Sequence, residues 1–194
     1  MEGRTVPEIM KRLHEEHRNI ARLLAVLERE LAIFDRGEQP DYDVLTGVAE
    51  WFKDFPEEAH HPKENIILAR LREKYPEAAK KIGDLEGEHE RISTLAQTFH
   101  NAVTNVLRDA ELPRGTFHAV ITNFIAEQRK HMEMEESRFF PLAEDTLKPE
   151  DWKAIEAEAG SRKDPLFDGE VAQRYAKVAA DLIEWERQNE KAAE

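Results

Sequence analysis

Apolar side chains recur at alternating spacings of three and four residues along four long segments, and this period most constrains the fold. An α-helix has 3.6 residues per turn, so such residues line up on one helix face. The first segment begins near Thr5 and shows the spacing clearly: Met10, Leu13, His17, Ile20, Leu24, Leu27, Leu31 and Phe34. No sustained alternation of apolar and polar residues, which is typical of strands, interrupts the pattern.

Three short stretches containing proline break the pattern, "DRGEQPD", "KYPE" and "ELPRG". They separate the first segment from one at about 41–74, one ending near 109 and one running from 117 to 142. Long helices with short connections favour antiparallel neighbours. We therefore predict an all-α fold, an up-and-down antiparallel four-helix bundle at residues 1–145.

The C-terminal residues 146–194 predict a helical extension of the bundle. A short helix ends near Gly160, a loop follows, and a last helix spans about 169–191. This part is too small to form a core of its own. We expect it to pack on the bundle or on a partner subunit, so a homodimer through the C-terminal helices is one predicted outcome.

Charge and cysteine content narrow the classes of partner. The 41 acidic residues outnumber the 28 basic ones and give a net charge of −13. Such a chain repels nucleic acid and anionic membranes, so we expect neither as a partner. No apolar run is long enough to span a bilayer, and the first residues lack the apolar core of a signal peptide. The absence of cysteine excludes thiolate sites, and together these features fit a cytoplasmic protein.

Ionisable residues stand on the apolar stripes at matching places in the two halves of the chain. A histidine precedes a glutamate by four residues twice, at His60 and Glu64 and at His131 and Glu135. Earlier in each half a single histidine lies on the stripe, His17 in "EEHRNIARLLAVL" and His89 in "GEHERISTLAQTF". The second half thus repeats the first, and the repeated positions carry the ionisable groups.

A pair of divalent metal ions explains this arrangement best. Carboxylates buried together without a counter-charge cost several kcal/mol or become protonated. Imidazole offers a lone pair, and a carboxylate can bridge two ions. Four histidines with two carboxylates suit iron, with zinc and manganese as alternatives. Any single histidine here could be an ordinary hydrogen-bonded core residue, but the repeat favours ligands. The predicted metal ligands are His17, His60, Glu64, His89, His131 and Glu135.

The other histidines and one proline lead to weaker predictions. His14 lies one turn before His17, off the centre of the stripe, and its part in the site is left open. We expect His61, His100 and His118 to be exposed beside core positions. Pro62 should kink the second helix or impose a bulge. This is either a tolerated defect or a way to aim His60 and Glu64 together.

The motifs "EEHRNI", "HHPKENIIL", "GEHERI" and "HMEMEESRFFPL" resemble those of the hemerythrin-like family, also called HHE cation-binding domains. The resemblance covers roughly residues 8 to 142. It implies two non-haem iron ions inside the bundle, bridged by carboxylates and an oxo or hydroxo species. His17 and His89 would be single ligands, and the two His–Glu pairs would be paired ligands. The implied ligand is O2, NO or peroxide, in redox or stress handling or in sensing, and enzyme activity is left open. The alternative is a non-catalytic protein that holds or donates iron, or an interaction protein.

Two departures limit what the resemblance implies. Oxygen-carrying hemerythrins take a fifth histidine from a His-x-x-x-His pair on the third helix, but here the positions four away from His89 are Leu85 and Ser93. The ligand set is closer to di-iron proteins linked to iron–sulfur repair and nitric oxide handling, which often carry a cysteine-bearing module that this chain lacks.

A ferritin-like site, with Glu-x-x-His on two helices, is the rival metal interpretation. "EEAH" and "EGEH" match it locally, whereas Gln128 precedes His131.

Overall fold

The computed structural model describes residues 6–108, 112–160 and 163–193, and this part of the chain is helical without strands. The predicted all-α class is therefore confirmed, while the predicted first helical residue, Thr5, lies outside the described residues. The helices are α1 (Glu8–Asp35), α2 (Tyr42–Phe55), α3 (His61–Lys74), α4 (Pro76–Ala79), α5 (Leu85–Leu107), α6 (Arg114–Met134), α7 (Phe140–Thr146), α8 (Pro149–Ala159) and α9 (Ala176–Ala193). A single 3₁₀ turn, Gln173–Tyr175, precedes α9.

Two wider helical turns interrupt the second and fourth predicted helices without ending them. The first, π1 (Pro56–His60), joins α2 to α3, and the second, π2 (Glu135–Phe139), joins α6 to α7. In each, a backbone N–H bonds the carbonyl five residues earlier, from His61 to Pro56 and from Phe140 to Glu135. A proline follows each of these donors directly. Proline has no N–H for the carbonyl four residues back, so the regular ladder cannot continue there. The bulge predicted beside Pro62 is present.

The long helices contact one another in a closed order around the core. α1 packs against α2, α2 against α5, α5 against α6 and α6 against α1. The second predicted helix begins where expected, because the Asp41 carboxylate accepts hydrogen bonds from the N–H groups of Asp43 and Val44. The fourth runs on to Thr146, beyond the predicted end, because Pro141 lies in the first turn of α7, where proline is tolerated.

A layer of polar side chains divides the apolar core. On one side lies an apolar cluster that includes Leu13 of α1, Leu68 of α3 and Phe139 of π2. On the other side lies a larger cluster that includes Ile20, Phe52 and Phe124. Along α1 the residues Glu16 and His17 stand between these clusters and are themselves buried. The polar layer is therefore enclosed on both sides by apolar side chains.

The C-terminal helices pack on the rest of the same chain. α8 contacts α3, and α9 contacts α2. Tyr175, Val178 and Leu182 are buried in this contact. Gly47 of α2 allows the close approach, since a Cβ at that position would lie 2.5 Å from Cγ2 of Val178. None of the helices in the described ranges has the length and hydropathy needed to cross a bilayer.

Candidate metal centre

The structure brings all six predicted ligands into the polar layer of the core. They come from α1, π1, α3, α5, α6 and π2, and none has more than 5% of its surface exposed. Donor atoms of His17, His60, Glu64 and Glu135 lie within 4.8 Å of one another, and we call this set the His17 group. Donor atoms of His61, His89 and His131 form a second such set, the His89 group. The two groups are adjacent in the polar layer, since Oε2 of Glu64 lies 3.3 Å from Nε2 of His89.

Glu64 belongs to the His17 group, and its second oxygen lies close to a histidine of the His89 group. Its Oε1 lies 3.5 Å from Nε2 of His60 and 3.8 Å from Nε2 of His17. Its Oε2 lies 3.3 Å from Nε2 of His89. The carboxylate thus spans the space between histidines of different groups, as a bridging ligand does.

Glu135 has the same relation to the two groups. Its Oε2 lies 3.3 Å from Nε2 of His17. Its Oε1 lies 3.2 Å from Nε2 of His131 and 3.4 Å from Nε2 of His89. Two carboxylates therefore span two sets of imidazole nitrogens, which is a donor arrangement for a pair of ions.

In each histidine of both groups, Nδ1 makes a hydrogen bond with a side chain outside the two groups, which we call its outer acceptor. The other ring nitrogen, Nε2, is directed toward the inside of the polar layer. The Nδ1 pairs are His17 with Glu136 at 2.8 Å, His60 with Glu16 at 2.8 Å, His61 with Glu57 at 2.9 Å, His89 with Asn65 at 3.2 Å and His131 with Glu88 at 3.3 Å. An Nδ1–H donated outward leaves the lone pair on Nε2. Metal-ligating histidines are held in this way, because the outer bond fixes both the tautomer and the ring orientation.

Several inward-facing atoms are buried without a hydrogen bond among the described residues. They include Nε2 of His17, His61 and His131, both oxygens of Glu64 and Oε2 of Glu135. Buried polar atoms are rarely left unpaired, since each costs about 1–3 kcal/mol. These unpaired atoms belong to the two groups in the polar layer, and imidazole nitrogens and carboxylate oxygens are all metal donors. The residues therefore fit a bound pair of cations.

Without metal, protonated histidines compensate the buried carboxylates. Burial alone would lower the pKa of His17, but the nearby carboxylates of Glu135 and Glu136 raise it to about 10. Burial likewise opposes the charge on His89, yet Glu135 and Glu64 raise its pKa to about 9. Burial would raise the pKa of Glu135, but contacts with His17, His89 and His131 hold it well below the usual range. A metal ion would take over this compensating charge.

The expectation that His61 is exposed is wrong. Only 3% of its surface is accessible, and its ring stacks on that of His89 with centroids 4.1 Å apart. Burial lowers the pKa of His61 to about 4, against the opposing effect of Glu57. The widened turn π1 directly precedes this residue and changes the helix register, so two consecutive histidines face inward. A regular helical projection of the sequence places only one of them there.

The remaining histidines lie outside both groups. His14 is partly exposed, and its Nδ1 lies 3.0 Å from the Glu136 oxygen that also bonds His17. Among the described residues it contacts an outer acceptor of His17 and belongs to neither group. His100 is partly buried rather than exposed. The His118 side chain is 42% exposed and faces Asp35.

The sequence did not predict a buried ion pair between Glu16 and Lys63, which lies next to His60. Glu16 accepts from Nδ1 of His60 and also from the ammonium group of Lys63, and both partners of this pair are nearly fully buried. Both are among the residues that line a cleft of about 660 Å3 between α1 and the part of the chain that includes Glu156 and Asp164. The glutamate directly before His17 was the only signal in the sequence. Charged residues at such positions are usually solvated, so the signal is weak.

Comparison with known proteins agrees with this geometry. A family model described as the hemerythrin HHE cation-binding domain matches residues 8–143. The matched range includes both groups and their outer acceptors. No match to a curated protein or to a solved structure was found.

Proposed function

The chain belongs to the hemerythrin HHE cation-binding family, and from this premise we propose that it is a non-haem di-iron protein that binds or reacts with O2, NO or peroxide. Metal binding by the His/Glu groups follows from the family and from the donor sets. The observation that carries the finer proposal is the position of Glu64 and Glu135, each with one oxygen toward either group. The histidine and carboxylate donor set suits iron.

The proposed ligands are His17, His60 and the two carboxylates for one ion, and His89, His131 and the same carboxylates for the other. Bound iron supplies a redox-active centre at which a diatomic molecule or peroxide can coordinate. The protein holds each imidazole through its outer acceptor, as Glu136 does for His17. Phe140 stacks on the His17 ring with the ring centroids 5.0 Å apart, and the two apolar clusters enclose the polar layer on both sides.

We also propose the up-and-down order of the bundle, with residues 1–145 as the metal-binding domain and 146–194 as its extension. The closed order of contacts among α1, α2, α5 and α6 supports this topology. A homodimer and a cytoplasmic location stay predictions. Val178 and Leu182 of α9 are already buried in the same chain, so an additional interface would use the exposed side of α9, where Ile183 is 66% exposed.

Two measurements test the function. Elemental analysis after anaerobic reconstitution with ferrous iron should find about two ions per chain, and a protein without bound metal would overturn the proposal. Absorption spectra of the ferrous protein mixed with O2, peroxide and NO should then change rapidly and saturably for at least one of them. Slow autoxidation alone would favour the alternative, a protein that holds or donates iron.

A further inference from the structure

We propose that His61 is a metal ligand, completing with His89 and His131 a set of three histidines around one ion of the proposed di-iron centre. This inference rests on the proposed function and adds a residue that the repeat in the sequence does not indicate. It makes the centre asymmetric, with three histidines on one side and His17 and His60 on the other.

The position of Nε2 is the first observation. A ring nitrogen of His61 lies within 4.8 Å of ring nitrogens of His89 and His131, two of the proposed ligands, and Nδ1 is already bonded to Glu57. Nε2 is buried and makes no hydrogen bond among the described residues. A buried imidazole nitrogen without a hydrogen bond is unfavourable in the core of a protein. A bound cation would give it a partner.

The support of the ring is the second observation. Nδ1 of His61 donates to Oε1 of Glu57 at 2.9 Å, just as the other four inward-facing histidines use Nδ1 for an outer acceptor. Ser93 of α5 donates to the same glutamate oxygen. Ser93 stands four residues after His89, facing the same side of α5. It therefore helps to fix Glu57, and through it His61, against the His89 ring.

The backbone is the third observation. In a regular helix, neighbouring residues differ by 100° around the axis, so His60 and His61 could not both face the polar layer well. π1 ends at His60, and the N–H of His61 bonds the carbonyl of Pro56. Such bulges redirect side chains and are frequent at functional sites. Here the bulge sends His60 to Glu64 of the His17 group and His61 to the His89 ring.

The alternative is that His61 only fills space beside His89. Paramagnetic proton NMR of the wild-type ferrous protein separates the two roles, because the ring N–H protons of coordinated histidines are strongly shifted. We expect about five shifted, exchangeable ring N–H signals, one for each inward-facing histidine, with one of them missing in His61→Ala. Four signals in the wild type, with none lost in the variant, would overturn the inference. No shifted signal in the wild type would instead contradict the proposed function.

Iron affinity gives an independent readout. Loss of even an outer partner of a metal ligand typically weakens metal binding ~10–100-fold. His61→Ala should therefore weaken the binding of the ion beside His89 by at least about tenfold. Added imidazole should partly restore it by occupying the vacated space. His118→Ala, at a half-exposed position outside both groups, is the matched control. Unchanged affinity for both ions in His61→Ala would contradict the ligand role. If that variant does not fold, His61→Gln and the wild-type signal count still decide the question.

Discussion

A carboxylate oxygen of Glu64 and one of Glu135 lie within 4.8 Å of each other in a part of the core that is closed to solvent. Two negative charges at this distance repel by roughly 3–4 kcal/mol at an effective dielectric constant near 20. The histidine nitrogens around them reduce this cost only where they are protonated. In the metal-free protein this compensation depends on the raised pKa values of His17 and His89.

Glu64→Gln should separate metal binding from folding. The change removes a charge whose oxygens make no hydrogen bond among the described residues, so the metal-free protein should keep or raise its melting temperature. The loss of a bridging carboxylate should lower bound iron from about two ions per chain to one or none, and lower the melting temperature of the iron-loaded protein. Elemental analysis and calorimetry measure both.

Glu73→Gln is the matched control for this experiment, because Glu73 lies on the same helix with its side chain 65% exposed. It should leave iron content and both melting temperatures unchanged. Retention of both ions by Glu64→Gln would remove this residue from the proposed ligands.

The stability of the metal-free protein should fall as the pH rises. The pKa of His17 is raised from 6.5 to about 10 in the folded chain, and that of His89 to about 9. A raised pKa means that the folded state binds the proton more tightly. The resulting stability is fully present below pH 6.5 and is lost as the pH rises toward 10. Thermal melts of chelator-treated protein across this interval should show a steady decrease.

The iron-loaded protein is the control for the pH series, because its ligand nitrogens would be bound to metal rather than to protons. Its melting temperature should vary much less between pH 6.5 and 10. A flat or rising profile for the metal-free protein would show that His17 and His89 are not the groups that compensate the carboxylates.

Glu16→Gln should both destabilise the fold and weaken metal binding. Removing the carboxylate leaves the Lys63 ammonium buried without its partner, at a cost of about 3–5 kcal/mol. It also loosens His60, whose Nδ1 bonds Glu16, so the affinity for metal should fall ~10–100-fold. Denaturant unfolding and competitive metal titration measure the two effects.

A double variant separates these two roles of Glu16. Adding Lys63→Met to Glu16→Gln removes the unpaired charge and should recover most of the stability, but not the affinity. Glu15→Gln, at the exposed neighbouring position, should have neither effect. Recovery of both properties in the double variant would mean that Glu16 does not orient His60.

Gly47→Ala tests the packing of α9 on α2. The added methyl group would lie 2.5 Å from Cγ2 of Val178, and a stiff β-branched side chain cannot easily move away. Overpacking of this kind costs about 1–3 kcal/mol. We expect faster hydrogen exchange in α9 and a lower melting temperature, and Gly47→Ala with Val178→Ala should relieve both.

Gly115→Ala is the contrasting control for the packing experiment, because a Cβ there meets nothing within 4 Å. A helical alanine is favoured over glycine by about 0.5–1 kcal/mol, so this variant should be slightly stabilised. If Gly47→Ala behaved in the same way, the contact between α9 and α2 would not form as described.

The sequence by itself determined the helices and the faces on which His17, His60, Glu64, His89, His131 and Glu135 stand. That information is local, because a 3.6-residue period and proline-containing breaks are properties of neighbouring residues. The same residues carried the family resemblance, which the match to residues 8–143 confirmed. A regular helical period could not predict the inward turn of His61, because it assumes a constant rotation per residue, which π1 interrupts.

Only the tertiary structure decided which atom of each side chain faces the inside of the polar layer. The outer acceptors lie on other turns and other helices, with Glu136 beside His17 and Glu16 beside His60. Because these acceptors bond Nδ1, the other ring nitrogen, Nε2, is directed inward. The packing of the helices also orients Glu64 and Glu135 so that each has one oxygen near a histidine of either group. A sequence can specify that a charged residue lies on a buried face. Its counter-charge is set by residues distant in the chain, which only the folded packing brings within a few ångströms.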